Sequence, residues 1–190
     1  DAADRTNNNC EITMYENSYF RLGNATTATT FPNFESNEID LRENSTVIYN
    51  AGVNQEVRRL ANGNHESSYW NLWLFNADSV STPTTLPTKT LSANPEPRNG
   101  SDNVRFRQEF KVGEYVHFID NGYQVNGEGE VDDSTRPDII WVGQHSVLTL
   151  GVAATATEFP RNTTVANIDL HPTSHVIYNA GIFQRVRGIA

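Results

Sequence analysis

The stretch DNGYQVNGEGEVDD, residues 120–133, holds the densest potential chemistry in this chain. Asp120, Glu128, Glu130, Asp132 and Asp133 bring five carboxylates together there, and gathered oxygens are what a calcium ion needs. The spacing is not that of an EF-hand, which sets ligands at alternate positions before an invariant glycine. A solvated loop with hairpin turns at Asn121-Gly122 and Asn126-Gly127 accounts for the same residues more simply. Calcium is therefore the only cofactor the residue types suggest. The histidines, His65, His117, His145, His171 and His175, are scattered. His171 and His175 are four apart, but Pro172 lies between them and the segment reads as a turn entering a strand, not as a metal-binding helix face.

Catalytic signatures are missing in their sharp forms: no G-x-S-x-G, H-E-x-x-H, P-loop or G-x-G-x-x-G occurs. A glycosidase carboxylate pair cannot be selected from 23 acidic residues. No enzymatic activity is expected. The segment YWNLWLF, residues 69–75, could offer Tyr69, Trp70, Trp73 and Phe75 as a sugar-stacking platform. Apolar residues occupy both alternating faces, however, which predicts a central strand buried on both sides.

Cys10 is the single cysteine, so no internal disulfide can form. It ends a polar arm, residues 1–10, and is either a plain thiol or an intermolecular bridge. Asn24, Asn44, Asn99 and Asn162 begin Asn-x-Ser/Thr sequons, usable for glycosylation outside the cell. The chain starts at Asp1, which suggests a cleaved leader or a trimmed sequence; no apolar run spans a membrane. A net charge of −9 argues against nucleic acid as principal partner. Lys89 and Lys111 are the only lysines, and acidic, lysine-poor surfaces suit very salty water.

The elements that position these residues are organised by a duplication. VIYNAG occurs at 47–52 and again at 176–181. TATTFP at 27–32 matches TATEFP at 155–160, Ile39-Asp40-Leu41 matches Ile168-Asp169-Leu170, and Gln55-x-Val57-Arg58 matches Gln184-x-Val186-Arg187. The copies cover about 11–61 and 139–190, around an unrelated insert at 64–137, all within one domain spanning 11–190. Both copies and the insert are rich in Thr, Val, Ile and aromatics, without a sustained helical period. Eight to ten short strands predict an all-β, antiparallel β-sandwich or jelly roll. Two copies are too few to stack as a solenoid by themselves, so they are expected to pair as equivalent halves. Tyr49→Asp and Tyr178→Asp should then be equally harmful.

In size, lysine-poor acidic balance and β pattern over residues 11–190, with Cys10 as a candidate link between subunits, the chain resembles the small single jelly-roll capsid proteins of halophilic archaeal icosahedral viruses. That resemblance implies a structural building block of an ordered particle, a virion capsid subunit, self-associating at a virion or extracellular surface. An extracellular, pilus-like filament subunit growing by strand addition is the alternative, followed by a glycan-binding adhesion module. A hydrolase or lyase is supported by fold analogy alone.

Overall fold

The computed structural model describes residues 12–32, 39–60, 68–78, 85–92, 104–127, 139–160 and 168–186. All regular structure there is strand: β1 Ile12–Met14, β2 Tyr19–Leu22, β3 Ile39–Leu41, β4 Thr46–Tyr49, β5 Gln55–Val57, β6 Tyr69–Leu74, β7 Thr88–Leu91, β8 Val104–Val112, β9 His117–Ile119, β10 Val125–Gly127, β11 Ile139–Val142, β12 Val147–Leu150, β13 Ile168–Leu170 and β14 His175–Tyr178. No helix among the described residues is long and apolar enough to cross a membrane.

Every strand pairing is parallel. One wall runs β13-β11-β8-β6-β4-β2, with β10 also on β8; a second runs β14-β12-β9-β7-β5; β1 and β3 form a third. The chain is a parallel β-solenoid, in which each strand stacks on its counterpart one winding later. The expected antiparallel β-sandwich or jelly roll is therefore corrected. All-β content stands; the pairing direction does not.

The reason lies in the corners. Parallel neighbours require connections that turn the chain onto the next wall without reversing it. Asn17, Asn44, Tyr115 and His145 adopt positive φ of 55–58°, each two residues before the strand of the next wall begins. At three of these corners a serine follows, and Ser18, Ser45 and Ser146 each donate their amide back three residues, to Tyr15, Arg42 and Gly143. The corners also stack: Asn17 N–H donates to the Glu43 carbonyl and Tyr115 N–H to that of Gln144. Asn121-Gly122 does take positive φ, at 52° and 82°, but as such a corner. β9 and β10 never pair with each other, and Asn126-Gly127 lies inside β10, so both predicted hairpins are corrected.

Inward residues form ladders along the axis. Phe20, Val47, Leu72, Phe110, Ile140 and Ile168 are in register, as are Leu22, Tyr49, Leu74, Val112, Val142 and Leu170. Nine of the twelve are buried, Phe20, Ile168 and Leu170 being half-buried, and like stacks on like at the ~4.8 Å strand spacing.

The duplicated unit holds two stacked windings. β1 pairs β3 with Ile12 opposite Ile39, and β11 pairs β13 with Ile140 opposite Ile168. β2 pairs β4, and β12 pairs β14. Gly23 and Gly151 close the same turn in each, at φ 86° and 83°, where a Cβ would strike the Thr27 or Thr155 carbonyl at about 3 Å. The copies do not pair side by side as halves. They lie at opposite ends of the stack, and the second sits one wall further round: β1–β3 form the small wall, whereas β11–β13 join the largest.

Candidate functional site at the open end of the solenoid

The expected calcium loop is represented in the described residues by Asp120 alone; Glu128, Glu130, Asp132 and Asp133 lie outside them. Asp120 is buried, and its carboxylate accepts the Thr157 hydroxyl and the amides of Gly122 at 2.9 Å and Gly151 at 2.9 and 3.0 Å. Burial pushes its pKa up, and those donors pull against the rise. It ties the corner after β9 to the second copy. Among the described residues no three His, Cys, Asp or Glu side chains converge on a metal position. Asp120→Ala should therefore lower the unfolding free energy by about 2–4 kcal/mol, because three buried donors lose their acceptor. Urea denaturation with and without calcium checks this, and the loss should be equal in both.

Cys10, Asn99 and Asn162 lie outside the described residues. Asn24 is exposed and its Oδ1 accepts the amides of Thr26 and Thr27. Asn44 is a half-buried corner residue at φ 57°. His171 bonds locally with Thr173, through Nδ1 and Oγ1 at 2.9 Å, and His175 is the first residue of β14. His117, on the outer face of β9, contacts the Thr149 hydroxyl at 2.8 Å, and burial lowers its pKa.

The aromatic strand departs in part from its expectation. Leu72 and Leu74 face the core; on the other face Trp73 is half-buried while Asn71 is buried against Thr46, and a register irregularity after Tyr69 puts that ring inside as well. The expected central strand stands, between β4 and β8, but its outer face is only partly covered at Trp73. Trp73 sits 6.2 Å from Tyr19 and 5.6 Å from Phe75. Its Nε1 donates to Glu109 at 2.9 Å, and the Lys111 ammonium lies 4.5 Å over its ring. Glu109 also pairs with Lys111 at 2.8 Å, so this outer patch largely satisfies itself. A shallow cavity of about 350 Å³ opens on the second wall beside Glu56, Thr90, Ser92 and Asn121. It holds a single carboxylate, already bonded to the Ser92 hydroxyl.

The strongest unsatisfied surface is the final winding. β4 is covered on both sides, by β2 and β6, whereas among the described residues β14 pairs only β12. The identical hexapeptides therefore meet different surroundings. Ile48 is 3% exposed and its counterpart Ile177 46%; Val57 is 0% exposed and its counterpart Val186 65%. Ile182 and Phe183 add further exposed apolar surface there. The duplication points to this site, but only the stacking shows that one copy is inside and the other at an end. Composition carries no such signal.

Fold and edge together define a class: a parallel β-solenoid whose last described strand presents an open, apolar edge. Comparison with protein-family models, curated sequences and solved structures returns no match to this chain.

Proposed function

We propose that the chain is a structural building block of an ordered homo- or hetero-oligomeric assembly at a virion or extracellular surface, joined through the open end of the solenoid. The observation that carries this is the β14 edge: residues that are core in the first copy are left bare in the second. Exposed edges of this kind invite strand addition unless charge, proline or a cover blocks them. β14 offers none of the first two along His175–Tyr178. Head-to-tail stacking preserves the parallel ladder and does not close on itself, which favours a filament or spike over a shell tiled on all sides. The aromatic patch around Trp73 supports a second reading, glycan adhesion, weakened by the bonds that Glu109 and Lys111 already make to it.

Light scattering of the native material, in its own salt and without reductant, tests the first reading. A mass far above 21.2 kDa is expected, and a clean monomer overturns it.

A further inference from the structure

The internal copy shows in atomic detail what a covered winding looks like. Lys89 of β7 turns inward and donates from Nζ to the Ala51 carbonyl at 2.7 Å and to Gln55 Oε1 at 2.8 Å. Gln55 is itself held in place: its Oε1 accepts the Ala51 amide at 3.1 Å, and its Nε2 donates to the carbonyls of Leu22 at 3.1 Å and Thr29 at 2.8 Å.

The second copy rebuilds this receptor bond for bond. Gln184 Oε1 accepts the Ala180 amide at 3.0 Å, and Nε2 donates to the carbonyls of Leu150 at 2.9 Å and Thr157 at 2.7 Å. The amine is what differs. Among the described residues no donor reaches the Ala180 carbonyl, and Gln184 Oε1 takes only the Ala180 amide. The apolar surroundings are copied too, since Val176, Tyr178 and Val186 repeat Val47, Tyr49 and Val57, which Leu72, Leu74 and Leu91 cover.

We propose that the open end is a docking site for a partner chain that adds one parallel winding and inserts a lysine between the Ala180 carbonyl and Gln184 Oε1. This rests on the assembly reading and names the partner's chemistry. Two carbonyl acceptors on an apolar end face, matching those that hold Lys89 in the first copy, call for a group that only donates, on a long unbranched stem, which is lysine. The net charge of −9 favours a cationic arrival. Two copies docked end to end through this face would oppose acceptor to acceptor. Nor can the chain's own lysines fill it from a second copy: Lys89 is fully buried in its own core, and Lys111 is paired with Glu109 on an outer wall.

The chain supplies its own probe. A labelled synthetic peptide of residues 68–92 carries β6 and β7, the strands that cover β4 and β5, and it should bind the full-length chain saturably by fluorescence anisotropy. The same peptide carrying Lys89→Met should bind at least tenfold more weakly. Val186→Asp in the protein changes a side chain already exposed, so it should leave the fold intact by circular dichroism and abolish capture of the peptide. No saturable binding, or binding indifferent to Lys89→Met, overturns the proposal. These outcomes separate it from the assembly reading: native material that scatters as a monomer refutes assembly whatever the peptide does, and a large native mass does not rescue a peptide that fails to bind.

Discussion

Tyr49→Asp should abolish folding, while Tyr178→Asp should leave a folded protein whose Tm falls by only several degrees. The two tyrosines share a hexapeptide and a strand position, so the sequence predicts equal damage. Their burial does not allow it. Tyr49 is completely enclosed; its hydroxyl contacts that of Tyr69 at 3.0 Å and accepts the Arg58 amide at 3.1 Å. Tyr69 in turn donates to the Arg58 carbonyl at 2.7 Å. An aspartate at 49 would empty an aromatic volume between β2 and β6 and bury a carboxylate there, at a cost of about 5 kcal/mol or more, comparable to the whole stability of a domain. Tyr178 is only half-buried, on a strand with one neighbour among the described residues, and the same change there should cost about 1–2 kcal/mol. Urea unfolding of both variants, followed by circular dichroism, decides it. Equal losses would mean that β14 is covered within the chain itself.

A second large effect is expected from pH. Burial lowers the Lys89 pKa from 10.5 to about 7, since the ammonium has no carboxylate beside it, only the Ala51 carbonyl and Gln55 Oε1. The folded state therefore binds this proton less tightly than the unfolded chain does. Between the two values the unfolded state carries more protons, so stability rises with pH and is lost as pH falls toward 7. Going from pH 7 to 9.5 should add about 2–3 kcal/mol of unfolding free energy. That window ends below the unfolded tyrosine value of 10; because burial pushes Tyr49 up to about 12, tyrosine ionisation in the unfolded chain opposes the rise only as pH approaches 10. Lys89→Met removes the titrating group and should flatten the profile. A wild-type midpoint that is constant or falls over this range would show that the amine stays charged in place.

The same lysine links stability to the proposed partner. Internally, one amine closes the seam between β5 and β7, and holding it charged there carries a desolvation cost that fades as pH rises past about 7. At the open end that cost arises only when the partner arrives, so docking there should itself strengthen as pH rises, provided the partner's lysine is buried alike.

How much was legible follows from what each residue interacts with. The duplication was plain, because VIYNAG and its flanking matches are identities along the chain. All-β content was plain too, since Thr, Val, Ile and aromatics at short spacing suit nothing else. A finer period is present as well: Glu16-Asn17-Ser18 recurs as Glu43-Asn44-Ser45 inside one copy, 27 residues on, marking successive corners of a solenoid. That step could have turned the antiparallel expectation into a parallel one. Asn121-Gly122 misled for a physical reason. Its backbone preference for positive φ serves a hairpin and a solenoid corner equally, so the dipeptide states a local bend without stating where the chain goes next.

By itself, then, the sequence determined the strand content, the two-winding repeat, the positive-φ corners and the lack of a sharp catalytic motif, all of which depend on neighbours within a few residues or on identity between segments. Only the tertiary structure decided that the strands pair in parallel, that Trp73 faces outward while Lys89 faces in, and that one VIYNAG is sealed while the other lies at an edge. Those depend on which strand stacks over which, a contact between residues about thirty positions apart. The alternation of a single strand is the same whichever partner covers it.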